Sequence, residues 1–253
     1  MPPLQQNECC GTQSTDTNWK TLYKIAGVAA LVALSANLLD IILGFGETDI
    51  VVSGSKTALD WFALFQEDWF KGLYVLGILN IVYNACLVPI YFAMFAAHRR
   101  GNGVYAALAM VIAIIGMAVY ISNNAAIPMF VLAGKYAAAG SDVQRALLAA
   151  AGEAVLAFGE DFTPGSFTGM ILGGISAIAV SFVMLRGGIF GKVASWIGIV
   201  GFTFISVFTV LATFVPSLYF VAFYLFGMIG GLLVLSWFVL VSLKFFKLGR
   251  SEK

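Results

Sequence analysis

The segment VASWIGIVGFTFISVFTVLATFV (residues 193–215) contains 23 consecutive residues without an ionisable side chain. About 20 apolar residues in a helix cross the hydrocarbon core of a bilayer, so this segment predicts a transmembrane helix. Further apolar stretches predict five more spans, at residues 22–45, 73–97, 104–133, 167–185 and 218–243. Only 11% of the residues are charged, against about one quarter in a soluble domain. We therefore predict an all-α fold, a polytopic bundle of six transmembrane helices.

The basic residues between the spans predict the orientation of the bundle. With both termini in the cytoplasm, ten of the 14 Lys and Arg residues lie inside and nine of the 13 Asp and Glu residues lie outside. This distribution follows the positive-inside rule. We predict a multi-pass protein of the cell membrane, with a polar cytoplasmic tail at 1–21, the transmembrane domain at 22–243 and a basic cytoplasmic tail at 244–253.

Two long outer segments are predicted to carry amphipathic helices. In the first segment one helical face collects four aromatic residues: Trp61, Phe62, Phe65 and Trp69. This pattern is typical of a helix that lies in the membrane interface, with Trp61 and Trp69 among the headgroups. In the second segment Ser141 is a suitable N-cap for a helix that continues to about residue 158. Because the inner links are short, functional loops are expected on the outer side.

Polar side chains within or next to the predicted spans lie toward the outer leaflet. Ionisable and amide groups in hydrocarbon are costly unless they are paired or hydrated, so their clustering indicates a site. The candidate ligand-binding residues are Asp40, Asn80, Asn84, Asn123, Asn124, Glu160 and Asp161. We predict that they line an outward-facing recess that binds a small solute, a cation or a lipid headgroup, for transport or sensing. Hydrogen bonds between helices are an alternative role for Asn80 and Asn84.

Two pairs of small residues support a different function, that of a non-catalytic subunit or an assembly protein. The pairs are Gly169 with Gly173 and Gly227 with Gly231. Such spacing allows close helix packing, so these faces could contact a second copy or another membrane protein, besides the membrane lipids. A third hypothesis is an intramembrane enzyme in which Asp40 acts with Glu160 or Asp161 as an acid–base pair.

Several functions are excluded by missing residues. No lysine lies in mid-span for a retinal Schiff base, and one histidine, His98, does not suffice for bis-histidine haem. The sequence also lacks a set of zinc ligands, a phosphate loop and a nucleophile elbow, so we predict no cofactor. It has no basic surface for nucleic acid, so we predict no nucleic-acid partner. A hard cation held by Asp40, Glu160 and Asp161 is left open. Modification of Cys9 and Cys10 is also left open.

The segments AVLAFGED (residues 154–161) and RGGIFGKVASWIGIVG (residues 186–201) carry a family resemblance. They resemble small six-span prokaryotic membrane proteins that are grouped only as a domain of unknown function. In those proteins a span ends in a short basic link, and a Ser-Trp-x-Gly-x-x-Gly-like motif starts the next helix. The resemblance implies a six-span fold and no particular activity.

Overall fold

The computed structural model describes residues 8–45 and 57–250, in which all regular secondary structure is helical. We number the main helices α1 Glu8–Phe45, α2 Ala58–Glu67, α3 Trp69–Val75, α4 Ile78–His98, α5 Gly103–Asn123, α6 Ala126–Ala137, α7 Asp142–Gly159, α8 Pro164–Gly187, α9 Lys192–Phe214 and α10 Met228–Arg250. Between α9 and α10 the chain forms a 3₁₀ turn (Pro216–Leu218), a short α-helix (Tyr219–Ala222) and a π-helical turn (Phe223–Gly227).

Six helical stretches are long and apolar enough to cross a membrane. The first, Asn18–Leu43, lies within α1, and the others contain α4, α5, α8, α9 and α10. Many large apolar side chains on these helices are exposed, among them Ile114, Ile175 and Leu232. Such a surface is stable next to lipid chains and unstable in water. The prediction of an all-α, six-span bundle is confirmed, and the protein is an integral, multi-pass membrane protein.

The six spanning helices form a closed ring in chain order. Each packs on the next, α1 on α4, α4 on α5, α5 on α8, α8 on α9 and α9 on α10, and α10 returns to α1. Small residues permit these close contacts. On α1, Ala26, Ala29, Ala30 and Ala33 are buried at helical spacing, while Val28 on the opposite side is exposed.

The interior of the ring is filled by large apolar side chains in the half nearer the predicted cytoplasm. Ile90, Met94, Met184, Phe238 and Phe245 are fully buried there. These side chains pack together in one apolar cluster. The polar residues discussed below lie at the other end of the bundle.

Helices α2, α3, α6 and α7 pack on one another and form a second layer with its own apolar cluster. We call the end of the bundle that carries this layer the outer end, after the predicted orientation. Trp61, Phe62 and Phe65 are buried here against α6 and α7. The prediction that Trp61 anchors among the headgroups is therefore wrong, because its ring is used for packing inside the protein. Trp69 is exposed and can still serve as an anchor.

Three predicted boundaries differ in the structure. The predicted span 104–133 is interrupted after Asn123, since Asn124 leaves the helical conformation and α6 begins at Ala126. The predicted tails 1–21 and 244–253 are partly helical, because α1 begins at Glu8 and α10 ends at Arg250. The predicted helix after Ser141 is confirmed, and the Ser141 hydroxyl accepts the Gln144 N–H at 3.2 Å. The side chains of Cys9 and Cys10 lie outside the described part of the chain.

Candidate functional site

The turn between α7 and α8 places Asp161 at the outer end of the bundle. Gly159 ends α7 against the backbone of residues 123–125, where the Ala125 N–H donates to the Gly159 carbonyl at 3.3 Å. The Thr163 hydroxyl donates to the Glu160 carbonyl at 2.7 Å and closes the turn. Pro164 then starts α8, a position that suits its fixed φ angle.

Phe162 is the one residue other than glycine with a positive φ angle, +61°, in residues 8–45 and 57–250. A bulky side chain rarely adopts this left-handed conformation, so tertiary contacts have to hold it. The Phe162 ring packs against Phe208 at 5.0 Å and Tyr219 at 6.2 Å between centroids. These contacts retain the turn in the shape that points Asp161 toward α4 and α5.

The Asp161 carboxylate accepts hydrogen bonds from two neighbouring helices. The Asn80 side-chain amide on α4 donates to it at 3.1 Å, and the Tyr120 hydroxyl on α5 donates to its other oxygen. Tyr120 is buried, whereas the Asp161 side chain keeps accessible surface. The carboxylate is therefore fixed by protein donors, while part of the surface of the side chain stays accessible.

Asp40 on α1 contributes a second carboxylate to the same region. Its side chain is partly buried and lies within electrostatic range of Asp161 and Tyr120. In the part of the chain that the structure describes, neither aspartate forms an ion pair with a basic side chain. By contrast, Asp142 on the exposed surface of α7 pairs with Arg145 at 3.5 Å. We call Asp161, Asp40, Asn80 and Tyr120 the Asp161 cluster.

Two of the other predicted residues lie close to this cluster. Asn84 is one helical turn from Asn80, and its amide donates to the Asn80 backbone carbonyl at 2.8 Å. Glu160 precedes Asp161 in the same turn and is partly buried. Their predicted role in ligand binding stays a prediction.

Asn123 and Asn124 join backbone segments at the rim of the cluster. The Asn123 amide donates to the Gly165 carbonyl at 3.0 Å, which connects α5 to the start of α8. The buried Asn124 amide donates to the Gly77 carbonyl at 3.1 Å, and its oxygen accepts the Ala126 N–H at 3.0 Å. Both amides thus fix the backbone around the cluster through contacts with the protein itself, and their predicted role in ligand binding stays a prediction.

Tyr120 is the cluster residue that the sequence analysis missed. It lies one helical turn before Asn123, on the same side of α5, so its position among polar residues could have identified it. The hydroxyl matters only because Asp161, 41 positions later, folds back onto α5.

The predicted carboxylates were also considered as ligands of a metal ion. Among the side chains that the structure describes, in residues 18–43 and 57–250, no group of three or more His, Cys, Asp or Glu is placed to hold a metal ion. Asp40, Glu160 and Asp161 are thus not assembled as a three-carboxylate centre.

The predicted glycine faces are used partly inside the chain. Gly169 packs against the backbone of Tyr120, and Gly227 packs near the Phe208 ring. Gly173 and Gly231 have open space where a side chain would begin. Contact with a partner through the remaining open positions stays a prediction.

No known protein family, curated protein or solved structure matches this chain. The fold and the site define it as a six-span integral membrane protein with a carboxylate cluster at the outer end.

Proposed function

We propose that the Asp161 cluster binds a small monovalent cation, as the recognition step of transport or sensing at the cell membrane. The observation that carries this proposal is the pair of aspartates, Asp161 and Asp40, without a basic partner in the described residues. An uncompensated carboxylate inside a membrane protein costs several kcal/mol. A bound cation would remove that cost, and the accessible surface of Asp161 gives it a place to bind.

The chemistry of the cluster favours a cation over the other ligands considered. An anionic solute or a phosphate group would be repelled by two carboxylates. The Tyr120 hydroxyl and one N–H of the Asn80 amide already donate to Asp161, which leaves few donors for an anionic ligand. A positively charged group is therefore the ligand that the arrangement accommodates best.

The aromatic rings beside the α7–α8 turn indicate which kind of cation the site prefers. Phe162 follows Asp161 directly in the chain, and Tyr219 lies within electrostatic range of the Asp161 carboxylate. Aromatic faces attract alkylammonium ions through cation–π interactions, which complement the carboxylate charge. We infer that a small alkylammonium ion fits this site better than an alkali ion, because the aromatic rings add to the attraction of the carboxylates.

Ligand-dependent stability tests this proposal. The full chain is purified in detergent, and its thermal unfolding midpoint is measured with methylammonium, tetramethylammonium, Na⁺ or K⁺ chloride at constant ionic strength. A ligand present at 100 times its dissociation constant stabilises the folded state by about 2.7 kcal/mol. For a chain of this size that corresponds to an increase of roughly 5–10 °C.

Asp161→Asn keeps the size and the acceptor oxygen of the side chain while it removes the charge. We expect this variant to fold and to lose the cation-dependent increase. Glu67→Gln is the matched control, because Glu67 is an exposed acid at the end of α2. Equal cation-dependent stabilisation of the wild type and Asp161→Asn would refute the proposal.

A further inference from the structure

A shallow groove lies at the end of the bundle opposite to the Asp161 cluster, between the start of α9 and the last turns of α10. Its wall is apolar and is formed by Phe190, Val193, Ala194, Leu240 and Leu243. Val193 and Leu243 are 69% and 62% exposed, so the groove opens toward the lipid. Behind it, Phe190 packs against His98 and Phe245, which makes the wall rigid.

Basic residues form one edge of this groove. Lys244 and Lys247 line it together with the apolar wall. A second hollow continues past Leu243 and Lys247 to Phe246 and Arg250, so the two hollows are contiguous along α10. The three basic residues follow at spacings of three, which places them along one side of the helix.

No acidic side chain that the structure describes compensates the charge at this edge. Neither hollow is lined by Asp or Glu. Among the described residues, Lys244, Lys247 and Arg250 form no ion pair. Positive charge above an exposed apolar wall complements a phospholipid, whose acyl chains are apolar and whose phosphate carries a negative charge.

We propose that this groove binds an anionic phospholipid of the inner leaflet. One acyl chain lies along Val193, Leu240 and Leu243, and the headgroup phosphate contacts Lys244 and Lys247. Arg250 extends the basic edge and can contact further oxygen atoms of the lipid headgroup. The site is separate from the Asp161 cluster, so its failure in a test would leave the proposed cation binding unaffected.

Lipid binding to the full chain can be measured by native mass spectrometry from detergent. The probes are dioleoyl phosphatidylglycerol, dioleoyl phosphatidylcholine and inorganic phosphate. We expect phosphatidylglycerol to bind at least tenfold more tightly than phosphatidylcholine. An excess of inorganic phosphate should displace little of it, because free phosphate has no acyl chain. Equal affinity for the two lipids, or full displacement by phosphate, would overturn the proposal.

The double variant Lys244→Gln/Lys247→Gln removes the charge at the groove. Each basic residue near a membrane surface contributes about fivefold to the affinity for anionic lipid, so we expect a loss of roughly 25-fold. Arg100→Gln/Arg186→Gln is the control, since it removes two exposed charges from the same end of the bundle at residues that line neither hollow. An equal loss in the control would show a general charge effect and refute a specific site.

The variant Leu243→Ser tests the apolar wall while all charges are kept. Leu243 is exposed, so the substitution should leave the unfolding midpoint unchanged. We expect weaker binding of phosphatidylglycerol, by about fivefold to tenfold, from the lost apolar contact. Unchanged binding would show that only the headgroup is recognised and would contradict the proposed position of the acyl chain.

Discussion

Gly159→Ala is the substitution that most directly tests how the outer end is assembled. A Cβ atom at this position would meet the Asn123 carbonyl and lie 2.6 Å from the amide nitrogen of Ala125. Ordinary van der Waals contact begins at 3.4 Å, so α7 and the α5–α6 junction have to separate by at least 0.8 Å, and by more at the Asn123 carbonyl. Both contacted groups are backbone, and no side-chain rotation can relieve the collision.

The cost of this separation follows from the contacts that it disrupts. Overpacking costs about 1–3 kcal/mol, and rigid backbone on both sides favours the upper half of that range. The hydrogen bond from the Ala125 N–H to the Gly159 carbonyl is also weakened. We expect the free energy of unfolding to fall by about 2–3 kcal/mol, which lowers the thermal midpoint by roughly 5–10 °C. The cation-dependent stabilisation should weaken as well, because Asp161 is two residues away.

Thermal unfolding of the purified chain, followed by circular dichroism, measures this effect. Gly134→Ala in α6 is the matched control, since a Cβ atom there meets no atom within 4 Å. The control should be unchanged or more stable by up to about 1 kcal/mol, because alanine favours a helix more than glycine does. An unfolding midpoint for Gly159→Ala within 1 °C of the wild type would refute the close approach of the two backbones.

Two further predictions concern hydrogen bonds that join helices. Ser242→Ala removes a buried hydrogen bond of 3.0 Å to the Gly27 carbonyl. We expect the free energy of unfolding, measured by thermal unfolding, to fall by about 0.5–1 kcal/mol. Ser236 is exposed on the same helix, so the control Ser236→Ala should change the stability little. Glu153→Ala removes the acceptor for the Ala58 N–H, a bond of 2.6 Å at the start of α2. Hydrogen exchange at Ala58 should then accelerate at least tenfold, and unchanged exchange would show that this bond does not hold α2 to α7.

Local sequence patterns predicted the helices well. A run such as residues 193–215 identifies a span because length and apolarity alone satisfy the requirement of the bilayer. Ser141 predicted the start of α7 because an N-cap acts within its own turn. The break at Asn124 was missed, because that residue leaves the helix to bond the Gly77 carbonyl on a distant segment.

Helix α2 shows the same limit of prediction from a local sequence pattern. The pattern of Trp61, Phe62 and Phe65 correctly indicates one apolar face on α2. It does not distinguish lipid from protein as the apolar surroundings. Only the position of α6 and α7 decides that these rings are buried within the chain.

The sequence by itself determined the class of protein and the number of spans, since these follow from the length and polarity of runs of neighbouring residues. The tertiary structure decided which polar groups meet. Asn80 and Asp161 are 81 positions apart, and their contact depends on how α4, α5 and the α7–α8 turn pack. That packing arises from many small-residue contacts between helices, none of which is encoded in a local pattern.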